Sequence, residues 1–223
     1  LEPRALEEEI EFILSTASKY LKKDPQKKDV LSVFAGLRPL AALEGNEKNT
    51  KEISRNHKLI VSLSGLVTIT GGKWTTYRKM AEDTVNKASL VGGLSEKDCV
   101  TKNMPIHGYV KNIHFDTPGY FYGADRAHIM DIIFKDSALG DRLHPDYEFT
   151  KADVLWAARD EMARTVEDFL ARRVRALFLD ARASMKMAPE VGFLLAKELG
   201  FDETWIKSQV DQYVELAKGY ILE

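Results

Sequence analysis

Residues 69–78, ITGGKWTTYR, put a lysine and two threonine hydroxyls directly after a pair of glycines. Gly71 and Gly72 let the backbone turn tightly and approach a ligand closely. Lys73 adds a mobile charge with three donors, and Thr75 and Thr76 add hydroxyls that either cap a helix or bond a ligand. Two further cations sit in comparable settings. Arg38 lies in AGLRPL between Gly36 and Pro39, and Arg55 lies in SRNHKL beside His57. A guanidinium presents paired N–H donors in one plane, so two arginines and a lysine form a good clamp for a small phosphorylated or carboxylated molecule. Taken singly, each of these charges is most simply a solvated surface residue.

The elements around these residues support the clamp. Val67, Thr68, Ile69 and Thr70 are β-formers, and Tyr77, Met80, Ala81, Thr84, Val85 and Ala88 recur at helical spacing. The glycine pair therefore joins a strand to a helix whose first N–H groups and positive dipole end face the turn. KLIVSL and LVTIT, separated by Ser64 and Gly65, read as a hairpin that delivers the chain into that turn. An amphipathic helix with Pro3 at its start and Leu6, Ile10, Ile13, Leu14, Ala17 and Leu21 on one face precedes a β-rich run, Val30 to Phe34. Pro39 pushes Arg38 to extended geometry, so this run reads as a strand ending in a cleft. Residues 95–123, broken by Pro105, Gly108, Pro118 and Gly119, read as a loop-like linker. Beyond it the periodicity predicts helices over about 124–135, 151–163, 165–179, 189–199 and 202–221. Thr150, Thr165 and Asp202 act as caps and Pro189 opens the fourth of them.

The remaining chemistry-bearing residues have simpler roles. His57 beside a strand reads as a half-exposed structural histidine, and His107, His114, His128 and His144 show no metal-ligand spacing, so no metal site is assigned. Arg172, Arg173, Arg175 and Arg182 lie near Asp168 and Asp180 and read as salt-bridging residues. Trp74, Trp156 and Trp205 read as packing residues, and the single cysteine, Cys99, gives neither a disulfide nor a thiolate zinc site. The 223 residues carry 32 basic and 34 acidic side chains, a net charge of −2, which gives nucleic acid no global field to follow. No apolar run approaches a membrane span and no signal peptide is evident. No GxGxxG follows a strand, so the pyrophosphate-cradling half of a dinucleotide site is not in this sequence. Together with a first residue Leu1 and immediate helical periodicity, this suggests a piece of a longer polypeptide.

Taken together, VFAGLRPL at 33–40, SRNHKL at 54–59, TGGKWTTYRKMAED at 70–83 and TVEDFLARRVRALFLDA at 165–181 resemble the C-terminal half of FAD-dependent glycerol-3-phosphate dehydrogenases. GLRP alone is shared by D-amino-acid-oxidase-like flavoproteins in general; its union with SRNH and GGKWTTYR is the specific part. The resemblance implies an α+β chain, a β-rich remnant of FAD- and substrate-binding domains over residues 1–92, a linker over 93–122 and an all-α domain over 123–223. It implies oxidation of glycerol 3-phosphate to dihydroxyacetone phosphate by hydride transfer to FAD, electrons passing to quinone or oxygen, with the chain inactive when separated from the rest of the enzyme. By the same resemblance Arg38 and Arg55 bind substrate. Gly71, Gly72, Lys73, Thr75 and Thr76 meet the flavin, and Lys73 also serves catalysis by stabilising developing negative charge. Trp74 stands where some relatives carry leucine. The implied setting is cytoplasmic, with peripheral attachment at the inner face of the cell membrane and a homodimer left open. Two other readings stand beside it: a non-catalytic helical interaction module, and a different D-amino-acid-oxidase-like flavoprotein.

Overall fold

The computed structural model of the protein describes residues 2–37 and 56–222. It is α+β, with helices far outweighing a single two-stranded sheet among the described residues. Two compact units are formed, one from Leu1–Gly36 with Gly108–Glu223 and one from Leu37–His107.

The first unit is the helical one. α1 (Glu7–Ser18) begins four residues after Pro3, where the Glu9 carboxylate accepts the Leu6 N–H at 3.0 Å and Glu7, Glu8 and Glu9 face the positive dipole end. Next along this unit come α3 (Arg126–Lys135), α4 (Lys151–Arg159), α5 (Ala176–Leu179), α6 (Ala181–Leu199) and α7 (Glu203–Lys218). Residues 152–158 of α4 are all buried, which makes it the central helix. The core joins Val154, Val166, Phe169, Leu170, Leu177, Met187, Val191 and Leu195 to Tyr213 and Ala217 of α7. α6 and α7 approach closely at Gly192, where a β-carbon would stand 3.1 Å from Val210 Cγ2 and 3.4 Å from Ile206 Cγ2. Asp202 caps α7 by accepting the Trp205 N–H at 2.9 Å, as its position predicts.

Three expectations are corrected here. The run Val30–Phe34 forms no strand among the described residues. It lies extended along the helical unit, with Val33 N–H donating to Tyr220 O at 2.8 Å and Leu31 O accepting from Ala181 N–H at 3.2 Å. These bonds satisfy the backbone as a ladder would, which is why a β-rich pattern is compatible with them. They join the run to the helical unit, with which the first 36 residues group. Pro189 does not open a helix but sits inside α6. That helix starts eight residues earlier, where the Asp180 side chain accepts Ala183 N–H at 2.9 Å. The expected continuous helix over 165–179 is instead a π-helical stretch, Asp168–Arg173, followed by Arg175 at φ 59° and the short α5.

The basic run is absorbed locally: Arg172 pairs with Asp168 at 3.0 Å, Arg173 donates to the Glu161 carbonyl, and Arg175 lies over the Phe178 ring at 5.5 Å. One buried acid sets a pH dependence. Asp153, 6% exposed, accepts the Thr150 N–H at 2.6 Å and the Thr150 hydroxyl at 2.9 Å. Burial pushes its carboxyl up all the same, outweighing those bonds, and burial raises Glu161 in the same sense. A carboxyl whose affinity for its proton rises on folding stabilises the fold while protonated, so stability falls as pH climbs through the ordinary aspartate range to the raised one. Asp153→Asn is therefore expected to lose less stability than the parent as pH rises from the ordinary aspartate range. Denaturant titrations across that range check this, and parallel slopes would refute it.

The second unit carries the antiparallel hairpin β1 (His57–Val61) and β2 (Val67–Gly71), in register from His57↔Gly71 to Val61↔Val67. The Ser-Gly turn closes it as predicted, with Gly65 N–H donating to Ser62 O at 3.0 Å and Gly65 at φ 85°. One turn of 3-10 helix (Trp74–Thr76) then leads into α2 (Tyr77–Val91), which packs on β2.

Candidate functional site

The strand, glycine turn and helix expected around residues 69–78 are all present in the second unit. Gly71 and Gly72 take φ of 73° and 89°, which lifts the chain out of β2 and into the helical turn. A β-carbon on Gly72 would stand 2.6 Å from Met80 Sδ and 3.2 Å from His57 Cβ, so the turn rests directly on those two side chains. Lys73 follows in extended geometry, φ −122° and ψ 148°, with its side chain exposed. Two N–H groups of the next turn are taken up locally, Thr76 N–H by Lys73 O and Tyr77 N–H by Trp74 O.

The two threonines divide in role. Thr76 donates its hydroxyl back to Lys73 O at 2.9 Å and its N–H to the same oxygen at 3.0 Å, so it stiffens the turn and does not cap the helix. Both threonines are exposed. Trp74 was expected to pack, yet it is 87% exposed, stacked on Tyr77 at 5.7 Å between centroids. The structure thus brings Gly71, Gly72, Lys73, Thr75 and Thr76 into one continuous mouth. Arg38 and Arg55 lie outside the described residues.

Behind the mouth runs a chain of charged groups that sequence reasoning missed. His57 Nε2 meets Asp83 Oδ2 at 3.0 Å, and Asp83 Oδ1 meets Lys79 Nζ at 2.9 Å. The Lys79 ammonium, and then His57, hold the Asp83 carboxyl below the usual range. Glu82, bonded by Arg78 and Lys79, is likewise lowered. The Lys79–Asp83 pair was legible at i,i+4 spacing, but nothing local joins His57 to an acid 26 residues away. A groove beside α2, lined by Glu82, Val85, Ser89 and Cys99 among others, contains none of the expected site residues. Among the described residues no cluster of three or more His, Cys, Asp or Glu side chains is arranged to hold a metal. Among them, too, no helix is long and apolar enough to cross a membrane.

Chemically, the mouth offers bare glycine backbone, which a ligand can approach closely, next to an exposed cation. Comparison with known proteins narrows the choice. Residues 67–205, which contain β2, this mouth and most of the helical unit, match the family model described as the C-terminal domain of alpha-glycerophosphate oxidase.

The chain belongs to this family. Its resemblance to glycerol-3-phosphate dehydrogenases, read from GLRP, SRNH and GGKWTTYR, is borne out by relatives that align along nearly all of it. Over 98% of its length it is 37% identical to a protein of Caenorhabditis elegans named as a probable mitochondrial glycerol-3-phosphate dehydrogenase, of which it covers 34%. It is 35% identical to the mitochondrial glycerol-3-phosphate dehydrogenase of Arabidopsis thaliana, covering 39% of that protein. Against the human mitochondrial enzyme it is 31% identical and covers 32%. The chain thus spans about a third of the length of the curated relatives it matches. A solved glycerol-3-phosphate dehydrogenase from Bacillus halodurans, complexed with FAD, shares the fold with a TM-score of 0.71 at 24% identity, over 98% of this chain and 46% of that one. The GGKWTTYR segment, residues 71–78, lies within the residues that match the family model.

Proposed function

We propose that this chain is the C-terminal part of a flavoprotein that oxidises glycerol 3-phosphate to dihydroxyacetone phosphate. The observation that carries the reading is the mouth at residues 71–76, where two positive-φ glycines deliver an exposed lysine to the start of a helix. It is supported by relatives named for that activity. FAD fits the residues present in part: the side-chain-free backbone at Gly71 and Gly72 and the exposed Lys73 suit the polar edge of a flavin ring. The pyrophosphate would be held by a segment not contained in this sequence.

FAD bound there would supply a hydride acceptor for the substrate's secondary carbon. The chain's own residues do the rest. Gly71 and Gly72 allow backbone to approach the ring, and Thr76 holds the Lys73 carbonyl so that the turn keeps its shape. Lys73 lends positive charge where the ring gains electrons or the alcohol oxygen loses its proton. Arg38 and Arg55 clamp the phosphate. Electrons then leave to quinone or oxygen, with the enzyme working peripherally on the inner face of a membrane where quinone is the acceptor.

The test is anaerobic addition of glycerol 3-phosphate to the intact polypeptide that contains this chain. Bleaching of the oxidised flavin absorbance is expected with glycerol 3-phosphate and not with sarcosine or D-alanine. A flavin that stays oxidised with the first, or bleaches with either of the others, refutes the assignment.

A further inference from the structure

We propose that His57, acting through Asp83, is a positioning residue that sets where the Lys73 turn stands against the bound flavin; this rests on the function proposed above. The geometry behind it is a short mechanical chain. His57 is the ladder partner of Gly71, and its Cβ lies under Gly72. Its Nε2 reaches across to Asp83 on α2 at 3.0 Å, and Lys79 holds the other Asp83 oxygen at 2.9 Å. The imidazole therefore ties β1, whose ladder partner β2 enters the turn, to the helix that leaves it.

Two consecutive glycines need such a tie. Each samples positive and negative φ with little preference, so the pair at 71 and 72 does not by itself hold 73° and 89°. Met80 fills space on the other side of Gly72, but a flexible thioether yields easily. The His57–Asp83 bond is directional, and with side chains only 22% and 30% exposed it is shielded from competing water. Donation from Nε2 also fixes which ring nitrogen carries the proton, and so the orientation of the ring beneath the turn.

The experiment uses the intact flavoprotein with His57→Leu, His57→Gln and Asp83→Ala. Glutamine carries its amide nitrogen about where Nε2 stands and can still donate to Asp83; leucine cannot, and alanine at 83 leaves no acceptor. For His57→Leu and Asp83→Ala the expected result is a flavin reduction rate, per bound flavin, lowered about tenfold, because small displacements of a positioned group are costly. The two-electron midpoint potential should fall by about 30 mV, the equivalent of a tenfold weaker preference for reduced flavin as Lys73 moves off the ring. His57→Gln should recover both to within about threefold of the parent. A purely structural role would lower melting temperature and flavin content while leaving rate and potential per bound flavin unchanged, and that result overturns the inference, as does a glutamine variant no better than leucine. The potential is measured without substrate, so a protein that glycerol 3-phosphate fails to reduce would sink the substrate assignment while the role of His57 is still decided. Should His57→Leu not fold, the Asp83→Ala and glutamine variants decide it.

Discussion

Replacing Phe169 by alanine is expected to lower the unfolding free energy of the helical unit by about 3–5 kcal/mol, the usual range for a buried phenylalanine. The side chain is 0% exposed and sits in the π-helical stretch Asp168–Arg173, where Val174 N–H reaches back five residues to Phe169 O at 3.0 Å. Its neighbours Leu170 and Ala171 in that wider turn are buried with it. Relaxation around the lost ring is limited, because Val166, Val191 and Leu195 are themselves fully enclosed in the same cluster. Phe134, on α3 and 91% exposed, supplies the contrast: its alanine variant should change stability by less than about 0.5 kcal/mol. Denaturant titrations followed by circular dichroism separate the two. Equal losses would mean that Phe169 is not at the centre of the core.

That same stretch shows where sequence reading reaches its limit. RTVEDFLARR carries an apolar period that predicts a helix, and a helical element is there. Nothing in the period announces one residue too many in the turn, or that Arg175 would take φ 59° and start a new helix. The Thr150 and Asp202 caps were legible because a cap is a local bond between residues three apart. The start of α6 was missed for a related reason: Pro189 is a strong local signal for a helix start, whereas an aspartate at 180 followed by alanines is an ordinary one. Conversely, the β-rich run at 30–34 was read correctly as extended and wrongly as strand, since periodicity reports backbone shape and not which partner takes its hydrogen bonds.

At the candidate site the same division holds. Glycine turn, lysine and helix start are contiguous, so their placement followed from propensity alone. His57 looked unpartnered because its acid lies on the next element, and Trp74 looked like core because aromatic residues usually are. A site assembled from one continuous segment is readable; the bond that steadies it, formed across two elements, is not.

The largest functional effect is expected at the arginines. In the intact flavoprotein, Arg38→Ala or Arg55→Ala should each reduce kcat/KM for glycerol 3-phosphate on the order of a hundredfold, about 2–4 kcal/mol of transition-state binding. The magnitude follows from the chemistry of the ligand. In the proposed clamp a phosphate monoester would bring nearly two charges, and each guanidinium fork would offer it paired, charge-assisted bonds. Lysine at either position keeps the charge and loses the fork, so Arg38→Lys and Arg55→Lys should lie between parent and alanine variants. If the arginines bind substrate and transition state alike, the loss appears in KM with kcat little changed. If they also orient the reacting carbon toward the flavin, kcat falls with it. Steady-state kinetics over a range of glycerol 3-phosphate concentrations distinguish these cases, and alanine variants at both positions with the parent's kcat/KM would leave the phosphate clamp without support.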